Sequence, residues 1–112
     1  MPIKCEEYNS VCVISVDGDF VGDEIGAARK VFDDRVEGRQ IVSFVFDLEK
    51  SGFVDSEGLE FLLQTKRKCE DMFGQVKLAG ADDNVQKILE ITRLQHRFEC
   101  HPDLTAALKN MR

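Results

Sequence analysis

The spacing of apolar residues changes from one stretch of the chain to the next, and each spacing predicts an element. Residues 3–8 alternate weakly and read as a marginal first strand. Residues 11–16 (Val11, Cys12, Val13, Ile14, Ser15, Val16) are largely β-branched and apolar, which suits a strand. Only Asn9 and Ser10 separate the two, so a hairpin is expected. Asp17, Gly18 and Asp19 end the second strand. Val21, Ile25, Ala28, Phe32 and Val36 then recur at spacings of four, three, four and four, one stripe at the helical period. Gly38 is the expected stop of this helix, and Gly22 and Gly26 weaken its first turn. Residues 41–46 are almost continuously apolar, as in a strand covered on both faces.

Residues 47–54 lead away from that strand to a second helix starting near Asp55 or Ser56. This helix carries Leu59, Leu62, Leu63, Cys69 and either Met72 or Phe73 on one side, and Gly74 is its expected end. Residues 76–79 alternate as a fourth strand with one face inward and one outward. Val85, Ile88 and Leu89 mark a third helix, and residues 97–100 a short fifth strand. Pro102 suits the first turn of a last helix with Leu104, Leu108 and Met111. The order β-β-α-β-α-β-α-β-α predicts an α/β fold occupying residues 1–112 as one domain. A mixed, mainly parallel sheet of about four to five strands with about four helices is expected. In such sheets function gathers where strands give way to helices, here at residues 17–23 and 52–58.

Composition narrows the function classes. The 112 residues carry a net charge of −6, which disfavours nucleic acid and anionic membrane surfaces as partners. No apolar run approaches the roughly 20 residues that span a bilayer. Residues 1–10 are mixed and charged, unlike a signal peptide, so the cytoplasm is expected. Cys5, Cys12, Cys69 and Cys100 form no closely spaced pair, which agrees with a reducing compartment. Cys12 and Cys69 fall on apolar stripes and read as small core residues. Cys100 and His101 are adjacent, yet zinc needs several closely spaced ligands, so no metal is expected.

The turn at residues 53–59 (Phe53, Val54, Asp55, Ser56, Glu57, Gly58, Leu59) sets a hydroxyl at the mouth of a helix. Asp55 or Ser56 can cap the first-turn amides, and those amides with the helix dipole also tolerate a phosphate. Catalysis by Ser56 is a poor fit. A nucleophilic serine needs a base in hydrogen-bond reach, and the elbow pattern G-x-S-x-G lacks its first glycine, since Val54 stands there. His96 and His101 both lie late in the chain. No glycine-rich phosphate loop is present, so no nucleotide cofactor is expected. A phosphoaspartate receiver built on Asp47, with Asp17 and Asp19 as metal acids, is disfavoured by the leading hairpin and the lack of an apt late lysine.

These stretches, taken in order, resemble the STAS domain family of sulphate transporters and anti-sigma factor antagonists. Residues 44–48 and 53–59 resemble the family's apolar strand ending in Asp-Leu, followed by apolar-apolar-Asp-Ser-Ser-Gly-Leu. Gly18, Asp19 and Phe20 resemble the motif after its second strand. Residues 76–80 resemble its fourth strand, and residues 85–94 with Phe98 resemble its third helix and the phenylalanine beyond it. Glu57 departs from the pattern, standing where a second serine is usual, and Arg93 stands where glycine is common.

The resemblance, closest to the anti-sigma factor antagonist type, implies a partner-switching protein and no enzymatic activity. Ser56 matches the phosphoacceptor, Asp55 the family aspartate, and Gly58 and Leu59 the Gly-Leu after it. The implied partner is an anti-sigma factor that is also a serine kinase, with a serine phosphatase resetting the switch. Docking is expected over Asp19, Asp23, Asp55, Ser56, Glu57, Gly58 and Leu59. Glu57 leaves open an alternative, in which the module binds a constitutive partner in a transport complex or signalling assembly without phosphorylation.

Overall fold

A computed structural model describes residues 2–111, so Met1 and Arg112, the ends of the expected 1–112 domain, lie outside the described residues. The elements are β1 (Ile3–Tyr8), β2 (Val11–Asp17), α1 (Asp23–Arg39), β3 (Ser43–Lys50), α2 (Ser56–Asp71), β4 (Val76–Ala79), α3 (Asp83–Ile91), β5 (Glu99–His101) and α4 (Leu104–Lys109). They build one five-stranded sheet in the order β1-β2-β3-β4-β5. β1 runs antiparallel to β2, and every later pair is parallel. Asn9 and Ser10 turn the hairpin with φ of 50° and 68°, the left-handed pair that a type I′ two-residue turn requires.

Each face of the sheet is covered by its own apolar layer. On one face Ile14, Phe44, Phe46 and Leu78 pack under α1, α2 and α3, joined by Phe32, Phe61 and Leu89. Phe61 stands edge-on to Phe46, ring centres 5.8 Å apart, a favoured aromatic arrangement. On the other face Val11, Val13, Val45 and Ala79 lie under α4, with Ala107 buried and Leu104, Leu108 and Met111 partly so.

Tertiary contacts move several boundaries. Gly38 lies inside α1, and the left-handed residue that ends the helix is Gln40, at φ 56°. The helix runs on so that Ile41, whose amide donates to the Arg35 carbonyl at 3.1 Å, can enter the core. Gly74 likewise is not the left-handed stop of α2. Phe73 takes that conformation at φ 65° and is fully exposed. Gly74 is instead a point of close approach, because a Cβ there would run into the Val42 carbonyl. β3 starts two residues after Ile41 and runs on to Lys50. Its end pairs with β2 as far as Asp17 opposite Lys50.

The expected inward–outward alternation of β4 does not occur: all four residues are buried. The reason is α4, which roofs the second face, so Lys77 lies beneath it and is paired with Glu99 of β5. β5 begins at Glu99, two residues later than expected. Pro102 stands before α4 and not within it, because Asp103 is the cap, its carboxylate accepting from the Ala106 amide at 2.8 Å. Cys69 and Cys12 are core residues. Cys12, however, is joined to Cys5 in a disulfide, which the wide separation of the cysteines in sequence did not suggest. Side chains alternate along a strand, so Cys100 and His101 of β5 leave from opposite faces. No helix among the described residues is long and apolar enough to cross a membrane.

Candidate functional site

Two of the loops that follow the parallel strands are stitched into one surface. Beyond β2, the Gly18 amide donates to the Lys50 carbonyl at 3.0 Å, and the Phe20 amide to the Phe53 carbonyl at 2.9 Å. Phe20 and Val54 thus form an isolated parallel bridge linking residues 17–23 to the turn before α2. Ser51, fully buried, donates its hydroxyl to the Val16 carbonyl at 3.3 Å and fixes the same junction from below. The Phe20 ring is wholly buried against Phe61, so the loop is anchored in the core.

The start of α2 is decided by Asp55. Its backbone is extended, and its carboxylate accepts from the Gly58 amide at 2.8 Å, the bond that defines an N-cap. The Leu59 amide donates to the Asp55 carbonyl at 3.0 Å. Ser56 is therefore the first residue inside the helix, and its exposed side chain is not needed as the cap. The dipole of a 16-residue helix points its positive end at this hydroxyl, an arrangement that tolerates added negative charge.

Gly58 explains how the two loops can touch. A Cβ there would meet Val54 Cγ1 at 2.7 Å and the Phe20 carbonyl oxygen at 2.8 Å. The missing side chain lets the first turn of α2 lie directly on the bridge. Gly58 and Leu59, both expected in partner contact, are buried and support the turn from within. Asp19, Asp23, Ser56 and Glu57 are exposed, and Asp55 is half-buried. The outward surface of the paired loops is thus a hydroxyl among carboxylates.

Within the turn singled out from sequence, the exposure of Phe53 was not specified, nor was the bracing of that turn by α3. Phe53 presents an aromatic ring at 42% exposure beside Asp55. Its position outside any periodic stripe was the available signal, but an apolar residue there could equally have turned inward. The N-terminal turn of α3 and its cap also reach the site. Asn84 donates its side-chain amide to the Gly52 carbonyl at 2.7 Å, bracing the far side of the turn. Asp82, capping α3 through the Val85 amide at 2.9 Å, adds a carboxylate near Gly52.

Comparisons with known proteins agree with this architecture. The family profile described as STAS domain matches residues 2–107. An anti-sigma factor antagonist from Mycobacterium paratuberculosis superposes with a TM-score of 0.84 at 24% identity, over 98% of this chain and 92% of that one. The Bacillus cell fate determinant SpoIIAA in its phosphorylated form gives 0.79 at 17% identity, over 98% and 99%. A sulfate transporter family protein from Wolinella succinogenes gives 0.79 at 17%, over 91% and 84%. No curated protein sequence matches the chain.

Proposed function

The chain belongs to the STAS domain family, and from that premise we propose that it is an anti-sigma factor antagonist, a cytoplasmic binding protein with no catalytic step of its own. Its partner is an anti-sigma factor that doubles as a serine kinase, and phosphorylation of Ser56 ends the interaction. One observation carries the reading: Ser56 is exposed at the head of α2, on a surface continuous with the 17–23 loop. A partner covering that surface necessarily covers the hydroxyl.

The electrostatics favour release. Phosphorylation adds a charge of about −1.5 to −2 near neutral pH. Asp55 and Glu57 flank Ser56 in sequence, and Asp19 and Asp23 are exposed on the adjoining loop. The helix dipole tolerates the phosphate within the free protein, whereas a partner fitted to the hydroxyl would bury the new charge against carboxylates. A penalty of about 3 kcal/mol lowers affinity by about two orders of magnitude.

The constitutive-partner alternative is favoured by one feature, the exposed Glu57 in place of the second serine. The two readings separate in one experiment. With the cognate kinase and ATP, mass spectrometry should find a single phosphate on Ser56. Ser56→Ala should bind the kinase as the parent does, and Ser56→Asp should bind roughly 10- to 100-fold more weakly. A kinase that binds without modifying Ser56, together with undiminished binding of Ser56→Asp, would replace the switch by the constitutive module.

A further inference from the structure

β1 buries little of itself in the core. Of its six residues only Ile3 is buried; Cys5 is half-buried and the other four are exposed. Its outer edge pairs with no strand among the described residues. Yet this strand carries one end of a covalent link. The register sets Cys5 opposite Ile14 and Glu7 opposite Cys12, so Cys5 and Cys12 are diagonal neighbours on the face that looks toward α1. Their Cα atoms are 6.6 Å apart and their sulfurs are joined. That separation lies within the span of about 4.4–6.8 Å that disulfides bridge without backbone movement.

The other two cysteines have no comparable partner. Cys69 is wholly buried on α2. Burial pushes its thiol up to about 12, which leaves little reactive thiolate. Cys100 stands on β5, at the opposite edge of the five-stranded sheet from β1.

We propose that Cys5 and Cys12 are a reversible dithiol–disulfide pair that fastens β1 to β2 when oxidised and thereby holds the 17–23 loop in order. The connection to the loop is direct. The Asp17 amide donates to the Pro2 carbonyl at 2.7 Å, so the residue that opens the loop hangs on the start of β1. The next anchors are the Gly18–Lys50 and Phe20–Phe53 bonds. In the dithiol form β1 is held by its ladder to β2, by its few packing contacts and by the exposed pairing of Glu7 with Arg39 and Arg35 of α1. Opening of the strand frees the Asp17 amide. In the disulfide form β1 cannot leave.

The chemistry has a direction set by burial. A low-molecular-weight disulfide is attacked by the thiolate of Cys5, the more accessible of the pair. A mixed disulfide forms at Cys5 and one small thiolate departs. The thiolate of Cys12 then attacks the Cys5 sulfur, forming the protein disulfide and expelling the second small thiolate. The protein loses two electrons and two protons, and the small disulfide gains both as two thiols. Reduction runs the same steps backwards. Cys12 then leaves as a thiolate from a site with no exposure, so reduction is slow.

The test uses the chain alone and is independent of any reading of Ser56. The reduced chain is treated with oxidised glutathione and its intact mass recorded, with a loss of about 2 Da expected for one disulfide. Proteolysis after Glu6 and Glu7 separates Cys5 from Cys12, so in the oxidised form the two pieces should stay joined. Amide exchange at Asp17 should be at least about 10-fold slower in the oxidised form than in the reduced form. Cys5→Ser should exchange at the reduced rate under both conditions. Cys12→Ala, which keeps an apolar residue in the core, should behave alike if Cys5→Ser folds poorly. Thiols that stay titratable under oxidant, or a link made through Cys100, overturn the pair. A Cys5–Cys12 link that leaves Asp17 exchange unchanged overturns its hold on the loop.

Discussion

At the residue scale the division of labour between Asp55 and Ser56 is the most informative feature. The carboxylate of Asp55 takes the Gly58 amide, so the helix does not depend on the serine hydroxyl. Asp55→Ala should therefore lower stability by about 1 kcal/mol, the usual loss for a cap. Ser56→Ala should stay within about 0.5 kcal/mol of the parent, as exposed substitutions away from such features do. Urea unfolding of the two variants checks this directly. If the larger loss falls on Ser56→Ala, the serine is the cap and its hydroxyl is committed to structure. A hydroxyl free of the cap is one that the proposed phosphorylation would reach without unwinding α2.

At the element scale, the hairpin is tied to α1 by charge as well as by packing. Arg39 donates through Nε and Nη2 to the two oxygens of Glu7 at 2.9 and 3.1 Å. The hydrogen bond from Arg39, with the charges of Arg39 and Arg35, holds the Glu7 carboxyl below its ordinary 4.5. A carboxyl lowered on folding favours the folded state above its unfolded value, and that contribution fades as pH falls through the folded value. Arg39→Ala should thus have a slightly lower Tm than the parent at neutral pH, a small effect because the pair is exposed. The gap should close as pH drops below 4.5. Thermal melts of both proteins across that range decide it, and a gap that widens in acid would show that Arg39 acts by some other contact.

At the scale of the whole molecule, the candidate surface owes its shape to the core beneath it. Phe20 and Phe61 meet edge-on with ring centres 5.8 Å apart, and Phe61 stands in the same relation to Phe46. The loop, α2 and β3 therefore share one aromatic cluster. Phe46 has no exposure, and truncation to Ala should cost about 3–5 kcal/mol. A calorimetric Tm within a degree or two of the parent would be incompatible with that placement. Because the cluster also seats Phe20, the same substitution should loosen the 17–23 loop, visible as faster amide exchange at Phe20.

What the sequence determined by itself is what neighbouring residues decide among themselves. The element order comes from the change between alternating and helical spacing. The hairpin comes from Asn9 and Ser10, and the start of α2 from an aspartate and a serine before an apolar stripe. Tertiary structure decided what depends on residues far along the chain. Gln40 and Phe73, not Gly38 and Gly74, take the left-handed positions, because burying Ile41 and the close approach of Gly74 to Val42 fix where the chain turns. β4 is buried on both faces because α4, formed much later in the chain, covers it. Cys5 meets Cys12 because of the hairpin register. The site itself is of this kind. Asp19 and Ser56 share a surface only because Phe20 bridges to Val54 and Gly58 leaves room for it. Local spacing carries the period of an element, but not the identity of what will cover it.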